Sequence, residues 1–264
     1  LVGCLGAAVV ILTYLATRGR EREADGEPPV PIARLPGLVL ANRPFLLVSG
    51  MILTQALAQA FVLSGAAYFF THARGEPDTL GLSLGVLIGG VGLFVPVWTV
   101  IQRRIGKRAT WLFGAVWSSL ALAGLAATSQ MALPFFLAAM ALSAFGFAAL
   151  GIAGFAMLPD TVEHGEWITG VRVEAALVSV LTFTQKCASG LASWGVGLLL
   201  AIAGHTQATP MAGEAAVTFG VWLFAIPSIA IALSLPLAFV YRLDAGEHAR
   251  LVEALAARRA GPPS

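Results

Sequence analysis

The sequence predicts an all-α polytopic membrane protein, and three observations carry that prediction. Of the 264 residues, 58% are hydrophobic and only 11% charged, whereas an ordinary soluble domain carries roughly 25% charged residues. Mean hydropathy is +0.83. The few charges fall in short stretches and leave uncharged runs at 45–70, 79–102, 109–159 and 215–241, each longer than the ~20 residues that cross a bilayer as a helix. No stretch alternates apolar and polar residues with a period of two, as the strands of a membrane barrel do.

The elements follow in order. Residues 1–17 are apolar with no basic stretch before them, so they do not read as a complete signal peptide. They are expected to be the end of a helix that starts upstream, making the chain part of something longer. Residues 18–44 mix Glu21, Glu23, Asp25 and Glu27 with five arginines and five prolines, the composition of a solvated linker. Spans at 45–71 and 80–102 come next. The long run 109–159 divides at Thr128, Ser129 and Gln130, just before Pro134, into spans at 110–128 and 133–158. Spans at 174–204 and 215–241 complete a set of seven, so the two ends lie on opposite sides.

The tail, 242–264, offers an amphipathic helix over 244–259, with Leu251, Val252 and Leu255 toward lipid and Arg250, Arg258 and Arg259 toward headgroups, or else a solvated basic tail. Gly81, Gly85 and Gly89, and likewise Ser189, Ser193 and Gly197, recur at four-residue spacing, which predicts dense packing of the 80–102 and 174–204 spans. One linker separates a leading helix from a block of six spans. That arrangement points to one half of a protein built from two six-helix bundles.

Short cytoplasmic loops are enriched in Lys and Arg, and here the asymmetry is steep. Arg18, Arg20, Arg22, Arg34, Arg43, Arg103, Arg104, Lys107, Arg108, Arg172, Arg242, Arg250, Arg258 and Arg259 all fall on one side, and Arg74 alone on the other. The C-terminus is therefore expected in the cytoplasm. Net charge is +2 and the basic residues flank apolar spans, so no nucleic-acid partner is indicated.

The sixteenth basic residue, Lys186, stands inside a span. If its helix begins at Glu174, Lys186 lies about 18 Å along the axis, near the middle of a ~30 Å hydrocarbon core. A Lys there costs about 2.5–3.5 kcal/mol on insertion scales, so such residues face a water-filled cavity or a carboxylate. No Asp or Glu occurs inside any other span of this chain. Thr182 precedes Lys186 by one turn and Ser179 by two, and Gln185 sits about 100° around the helix. Ser179, Thr182, Gln185 and Lys186 together form a polar flank suited to a hydroxyl-rich or ionic ligand. Taken alone, Ser179 and Thr182 read equally as hydroxyls bonded back to the preceding turn.

Between the fifth and sixth spans, Asp160, Glu163, Glu166 and Glu174 surround Arg172. The spacing of three puts Asp160, Glu163 and Glu166 on one face if helical, where like charges repel unless cations answer them. A charge network that forms in only one conformation is a gate; a solvated loop is the plain alternative. No nucleophile, oxyanion donor or metal motif accompanies these carboxylates. His72, His164, His205 and His248 are scattered, and Cys4 and Cys187 lie in apolar runs, so neither a metal site nor a disulfide is indicated.

The stretch Met157-Leu-Pro-Asp160-Thr-Val-Glu163-His-Gly-Glu166-Trp167-Ile-Thr-Gly170-Val-Arg172-Val-Glu174, followed by Thr182-Phe-Thr-Gln-Lys186, closely resembles the melibiose-permease-like sugar:cation symporters. These are the glycoside-pentoside-hexuronide:cation symporter family of the major facilitator superfamily. Arg103-Arg104-Ile-Gly106-Lys107-Arg108 resembles the facilitator loop motif in its second-half copy, with Gln102 and Arg103 where an acidic residue is often found.

The resemblance implies that 1–17 is the end of helix 6, 18–44 the cytoplasmic central loop, 45–241 the C-terminal bundle of helices 7 to 12, and 242–264 a cytoplasmic tail. It implies a multi-pass protein of the bacterial inner membrane that alternates access to a midplane site. The solute is sugar-like and is coupled to Na⁺, Li⁺ or H⁺, with no organic cofactor. Its partners would be membrane lipids and its own N-terminal six-helix bundle, which holds the main cation ligands. By position, Lys186 is implied near the sugar and cation sites, Thr182 as a sugar-side hydroxyl, and Asp160 and Arg172 in the cytoplasmic network that locks the outward-open state. The chain departs from the family at Ala149-Leu150-Gly151, where members tend to carry an aromatic sugar contact. Relatives that move lysolipids keep this fold with another cargo. A seven-helix membrane enzyme or assembly subunit is the reading of a different class.

Overall fold

The computed structural model describes residues 2–18, 31–204, 211, 213–243, 246, 247, 250, 251 and 253–255, and among them there is no strand. Two compact units divide the chain after Arg34. The first contains α1 (Val2–Thr17), an apolar helix in which the Thr13 hydroxyl donates to the Val9 carbonyl at 2.8 Å, and a short 3₁₀ turn at Ile32–Arg34. The solvated linker expected before that turn lies outside the described residues, apart from its two ends.

The second unit is a helical bundle: α2 (Leu35–Ala41), α3 (Arg43–Tyr68), α4 (Leu80–Ile105), α5 (Lys107–Thr128), α6 (Leu133–Thr169), α7 (Glu174–Ile202), α8 (Glu214–Ala232) and α9 (Ser234–Val240). Five stretches are long and apolar enough to cross a membrane: Arg43–Ala73, Pro77–Ile105, Lys107–Thr128, Leu133–Thr169 and Glu214–Val240. With these the chain is an integral, polytopic all-α membrane protein. The Lys186 helix, α7, is long enough but falls short in hydropathy. Lys186, Gln185 and its serines dilute an otherwise apolar segment, which marks it as a helix that does not spend its whole circumference in lipid.

α3 stands in the middle, packed against α7, α8, α6 and α9, while α6 packs on α5 and α4, and α5 on α8. The seam between α5 and α6 needs missing side chains on both helices. A Cβ at Gly146 of α6 would meet the Ser118 backbone nitrogen at 2.9 Å, and one at Gly114 of α5 would meet the Ala149 Cβ at 2.8 Å. Indole N–H groups tie further crossings: Trp98 donates to the Phe145 carbonyl at 2.9 Å, and Trp111 to the Ser234 hydroxyl at 3.1 Å. At the Arg74 end, Phe69, Phe70, Phe136 and Phe224 pack edge-to-face and stacked with centroids 5.2–5.8 Å apart. Phe69 and Phe70 belong to a π-helical turn, Phe69–Ala73, that ends the α3 rod. Arg74 closes this end, donating to the Ser129 and Met131 carbonyls at 2.9 and 2.8 Å and standing over the Phe136 ring.

Several expectations change. The 133–158 span continues as helix to Thr169, so the acidic segment is not a loop as far as that residue. Pro159 removes one backbone hydrogen bond, yet the extra turns are held by docking. The Asn42 amide donates to the Thr161 carbonyl at 2.7 Å, and Gly165 leaves room for it. Gly170, in the left-handed region at φ +72°, then ends the helix. The expected central loop carries α2, which docks because Val39 is buried with Phe45, Val162 and Leu177. Residues 103–109 are not a loop either, since Gly106, at φ +85°, turns the chain from α4 into α5 in one residue. The last span divides at Leu233 into α8 and α9, because Pro236 cannot donate to the carbonyl one turn before it.

In the tail, the described residues between 246 and 255 are helical, with Leu255 buried and Leu251 half-buried. The apolar face there turns to protein and not to lipid; Val252, Arg258 and Arg259 lie outside the described residues. The Gly81, Gly85 and Gly89 stripe does not pack densely: a Cβ at any of them would meet nothing within 4 Å. Of the second stripe, Gly197 is likewise open and Ser193 alone bridges to α3, through Ser64 at 3.1 Å.

Candidate functional site

Two places gather polar side chains from separate helices. The first is a cavity of about 80 Å³ between α3, α6 and α7, enough for several water-sized groups. Gln55 and Gln59 face it from α3, one helical turn apart, and Gln185 faces it from α7. Gly151, Gly154 and Phe155 supply the α6 wall. A Cβ on Gly151 would stand 3.8 Å from the Gln55 amide nitrogen, so the absent side chain leaves that amide uncovered. Each glutamine offers two donors and an acceptor oxygen with two lone pairs. Three of them, with no charged side chain in the lining, make a neutral site for hydroxyl-bearing groups. The aromatic side chain the family tends to carry is missing at 149–151, but Phe155 lines the cavity one turn further on.

The four residues of the expected α7 flank do not act as one surface. Gln185 turns into the cavity, whereas Ser179, Thr182 and Lys186 are exposed on the neighbouring face. The Ser179 hydroxyl donates to the Ala175 carbonyl at 2.7 Å and that of Thr182 to Val178 at 2.9 Å. Their protons are thus used within the helix, leaving lone pairs to accept from a ligand. Lys186 has no ion pair or hydrogen bond among the described residues. Sequence reasoning did not single out Gln55 and Gln59. The available signal was two amides at i and i+4 inside an uncharged run, where polar groups are costly.

The second place is the Arg-rich end. Both oxygens of the Asp160 carboxylate accept from the Lys107 ammonium, at 2.7 and 2.8 Å. Asp160 keeps 6% of its side-chain exposure and Lys107 38%, so one partner is sealed in protein and the other sits at its rim. Arg172 has different partners, Glu166 at 3.3 Å and Glu174 at 2.7 Å. The Glu174 hydrogen bond holds the Arg172 guanidinium above its ordinary pKa, securing a charge that is already permanent. Glu163 is half-buried on the same turns of α6.

The expected network contains two groups of ion pairs: Asp160 with Lys107, joining α5 to α6, and Arg172 with Glu166 and Glu174, pinning α6 to α7 across the Gly170 turn. From sequence Lys107 belongs to a basic loop motif on the cytoplasmic side. Its role as the Asp160 partner follows from the one-residue turn at Gly106, which places it at the first position of α5 beside the extended α6.

These features define a membrane-spanning helical bundle with a neutral polar cavity between helices and ion pairs concentrated at one end. The chain belongs to the family of MFS/sugar transport proteins, which it matches over residues 1–245. It is 26% identical over 260 residues to the uncharacterized symporter YjmB of Bacillus subtilis, covering 96% of this chain and 56% of that protein. To a glucuronide carrier protein homolog of Escherichia coli it is 27% identical, covering 76% and 44% respectively. To an isoprimeverose transporter of Lactiplantibacillus pentosus it is 23% identical, covering 92% and 51%. The chain spans about half the length of these relatives. They carry the names of transporters and symporters, not of enzymes.

Proposed function

We propose that this chain is the C-terminal half of a secondary active transporter that carries a sugar or glycoside-like solute in symport with Na⁺, Li⁺ or H⁺. The observation that carries this reading is the glutamine cavity at mid-span, flanked by a lysine that none of the described residues neutralises. A neutral amide cavity suits hydroxyls, and relatives named for a glucuronide and for isoprimeverose support a sugar-type solute. Lys186, exposed and without a partner among the described residues, calls for a carboxylate or an anionic solute group, which this reading places outside the bundle. An N-terminal six-helix bundle supplies it in this reading, together with the main ligands of the coupling cation.

The arginine asymmetry supports a cytoplasmic C-terminus in the bacterial inner membrane, with lipids around the bundle. Alternating access then needs an end that opens and closes. Arg172 and Glu174 are exposed, though Glu166 is not, and an exposed pair contributes only about 0–1 kcal/mol, so exchanging the Glu174 contact costs little. Asp160–Lys107 is the less exchangeable pair and keeps α5 and α6 together while the end moves.

In the protein expressed from its complete coding sequence, Lys186→Val is expected to abolish cation-driven uptake while membrane expression stays at the wild-type level. Uptake with unchanged cation dependence in that variant overturns the role given to Lys186.

A further inference from the structure

We propose that the outer face where α4 meets α5 binds an anionic phospholipid of the leaflet at the Arg-rich end. The lipid phosphate lies on Arg103 and Arg104, and an acyl chain lies along an aromatic floor beneath them. The site draws on no residue of the glutamine cavity, so it holds whatever solute the bundle carries.

The stretch Arg103-Arg104-Ile-Gly106-Lys107-Arg108 gathers basic side chains at one turn, and the bundle itself answers only those past Gly106. Lys107 is held by Asp160 at 2.7 Å, and Arg108 donates to the Ala238 and Phe239 carbonyls at 3.0 and 2.7 Å. Arg103 and Arg104 are exposed and have no ion pair or hydrogen bond among the described residues. The sequence supplies no carboxylate between Asp78 and Asp160, so neither α4 nor α5 can neutralise them. The turn adds to their field: α5 begins at Lys107 behind a glycine, with no side-chain cap, which leaves the partial positive charge of a helix start in place. Two guanidinium forks beside it suit a phosphate.

Beneath the arginines, Trp98 of α4, Phe113 and Trp117 of α5 and Phe145 of α6 form one aromatic layer, with ring centroids 4.9–5.8 Å apart. Both indole N–H groups are spent on α6, that of Trp98 on the Phe145 carbonyl at 2.9 Å and that of Trp117 on the Leu142 carbonyl at 2.8 Å. What the layer offers outward is ring face and ring edge, and Phe113 is 46% exposed. Along α5, Phe113 and Trp117 lie about 9 and 15 Å from Lys107 at 1.5 Å per residue. That is the depth of one leaflet of a ~30 Å hydrocarbon core. A free anion would meet the arginines and leave the floor unused, and a zwitterionic lipid would bring its own ammonium toward two guanidiniums. An anionic phospholipid satisfies both halves.

The test is tryptophan quenching in the full-length protein, reconstituted in phosphatidylcholine vesicles that carry either brominated phosphatidylglycerol or brominated phosphatidylcholine. The part of the quenching that Trp117→Phe removes reports the floor. That part is expected to favour phosphatidylglycerol by at least about fivefold, the factor one Arg contributes beside an anionic headgroup. Arg103→Gln with Arg104→Gln changes exposed side chains that hold nothing in the bundle, so folding is expected to stand, and it brings the two lipids within about twofold. If the double variant folds poorly, the two single variants carry the same test, each lowering the preference by about twofold or more. Arg43→Gln with Arg242→Gln removes the same charge from other exposed positions, away from the floor, and keeps the preference. Equal quenching by the two lipids in the wild type overturns the site. So does a preference that falls as far in the Arg43 and Arg242 variant, which would describe a diffuse layer set by net charge alone. Loss of the preference to excess inorganic phosphate at constant ionic strength overturns it as well, since the occupant would then be a free anion.

Discussion

The seam between α5 and α6 and the outward face of α4 carry the same kind of residue and use it in opposite ways. On the seam, Gly114 and Gly146 are covered so closely that an added methyl group would meet a neighbour at 2.8–2.9 Å. On α4, Gly81, Gly85 and Gly89 meet nothing within 4 Å. Half of the most apolar stretch of α6 is buried inside the bundle, against 11% for α4. In lipid no hydrophobic effect draws helices together, so small residues matter only where a second helix comes close enough to gain dispersion contacts. The bundle thus closes tightly along the α5–α6 seam and stays open along the outward stripe of α4, whose other face does pack, with a Cβ on Gly90 meeting Ala144 of α6 at 2.9 Å.

The sharpest way to break this contrast is Gly146→Val. The added side chain would be driven into the Ser118 backbone, which cannot rotate away. Overpacking of this kind costs about 3 kcal/mol. The variant is expected to show a strongly reduced yield of monodisperse protein in detergent and a melting temperature well below wild type. An unchanged melting temperature would show that the seam is loose after all.

The two ion-pair clusters repeat the contrast at smaller scale. Asp160→Asn leaves the Lys107 ammonium against a neutral amide in a mostly sealed position, and loss of a charge-assisted hydrogen bond costs about 1.5–3 kcal/mol. Arg172→Gln removes a short contact to exposed Glu174 and a longer one to Glu166, from a side chain that is itself 42% exposed, and should cost about 1 kcal/mol. Thermal melts of the two variants side by side are expected to rank them in that order. Equal losses would mean that the triad, too, is a fixed part of the bundle.

How much of this was legible beforehand depends on what each feature rests on. The apolar spans were readable because the bilayer sets one length and one polarity for every crossing helix, as with Arg43–Ala73 and Lys107–Thr128. The end of α6 was not, because the acidic segment reads equally as a gate or a solvated loop until Lys107 is seen on Asp160 and Asn42 on the Thr161 carbonyl. Among the site residues, Gln185 was found from its place beside Lys186. Gln55 and Gln59 were missed because nothing local distinguishes an amide facing a cavity from one facing a neighbouring helix. The glycine stripes failed for a related reason: spacing shows which residues share a face, but not whether another helix lies against it. Gly114 and Gly146 share no stripe at all and still mark close approaches of α5 to α6.

Gly85→Ala is the mildest test of the contrast and isolates the looser side. In the described bundle the new methyl group has open space around it, so no packing loss opposes the gain in helix propensity, about 0.8–1.0 kcal/mol for Gly to Ala in a helix interior. The expected outcome is a melting temperature equal to or slightly above wild type, with unchanged folded yield. A fall would mean that another helix lies directly on Gly85 in the complete protein. The stripe would then be an approach surface like the α5–α6 seam, with its partner supplied from beyond this bundle. A rise would leave α4 facing lipid or water along that line, with nothing for its glycines to approach.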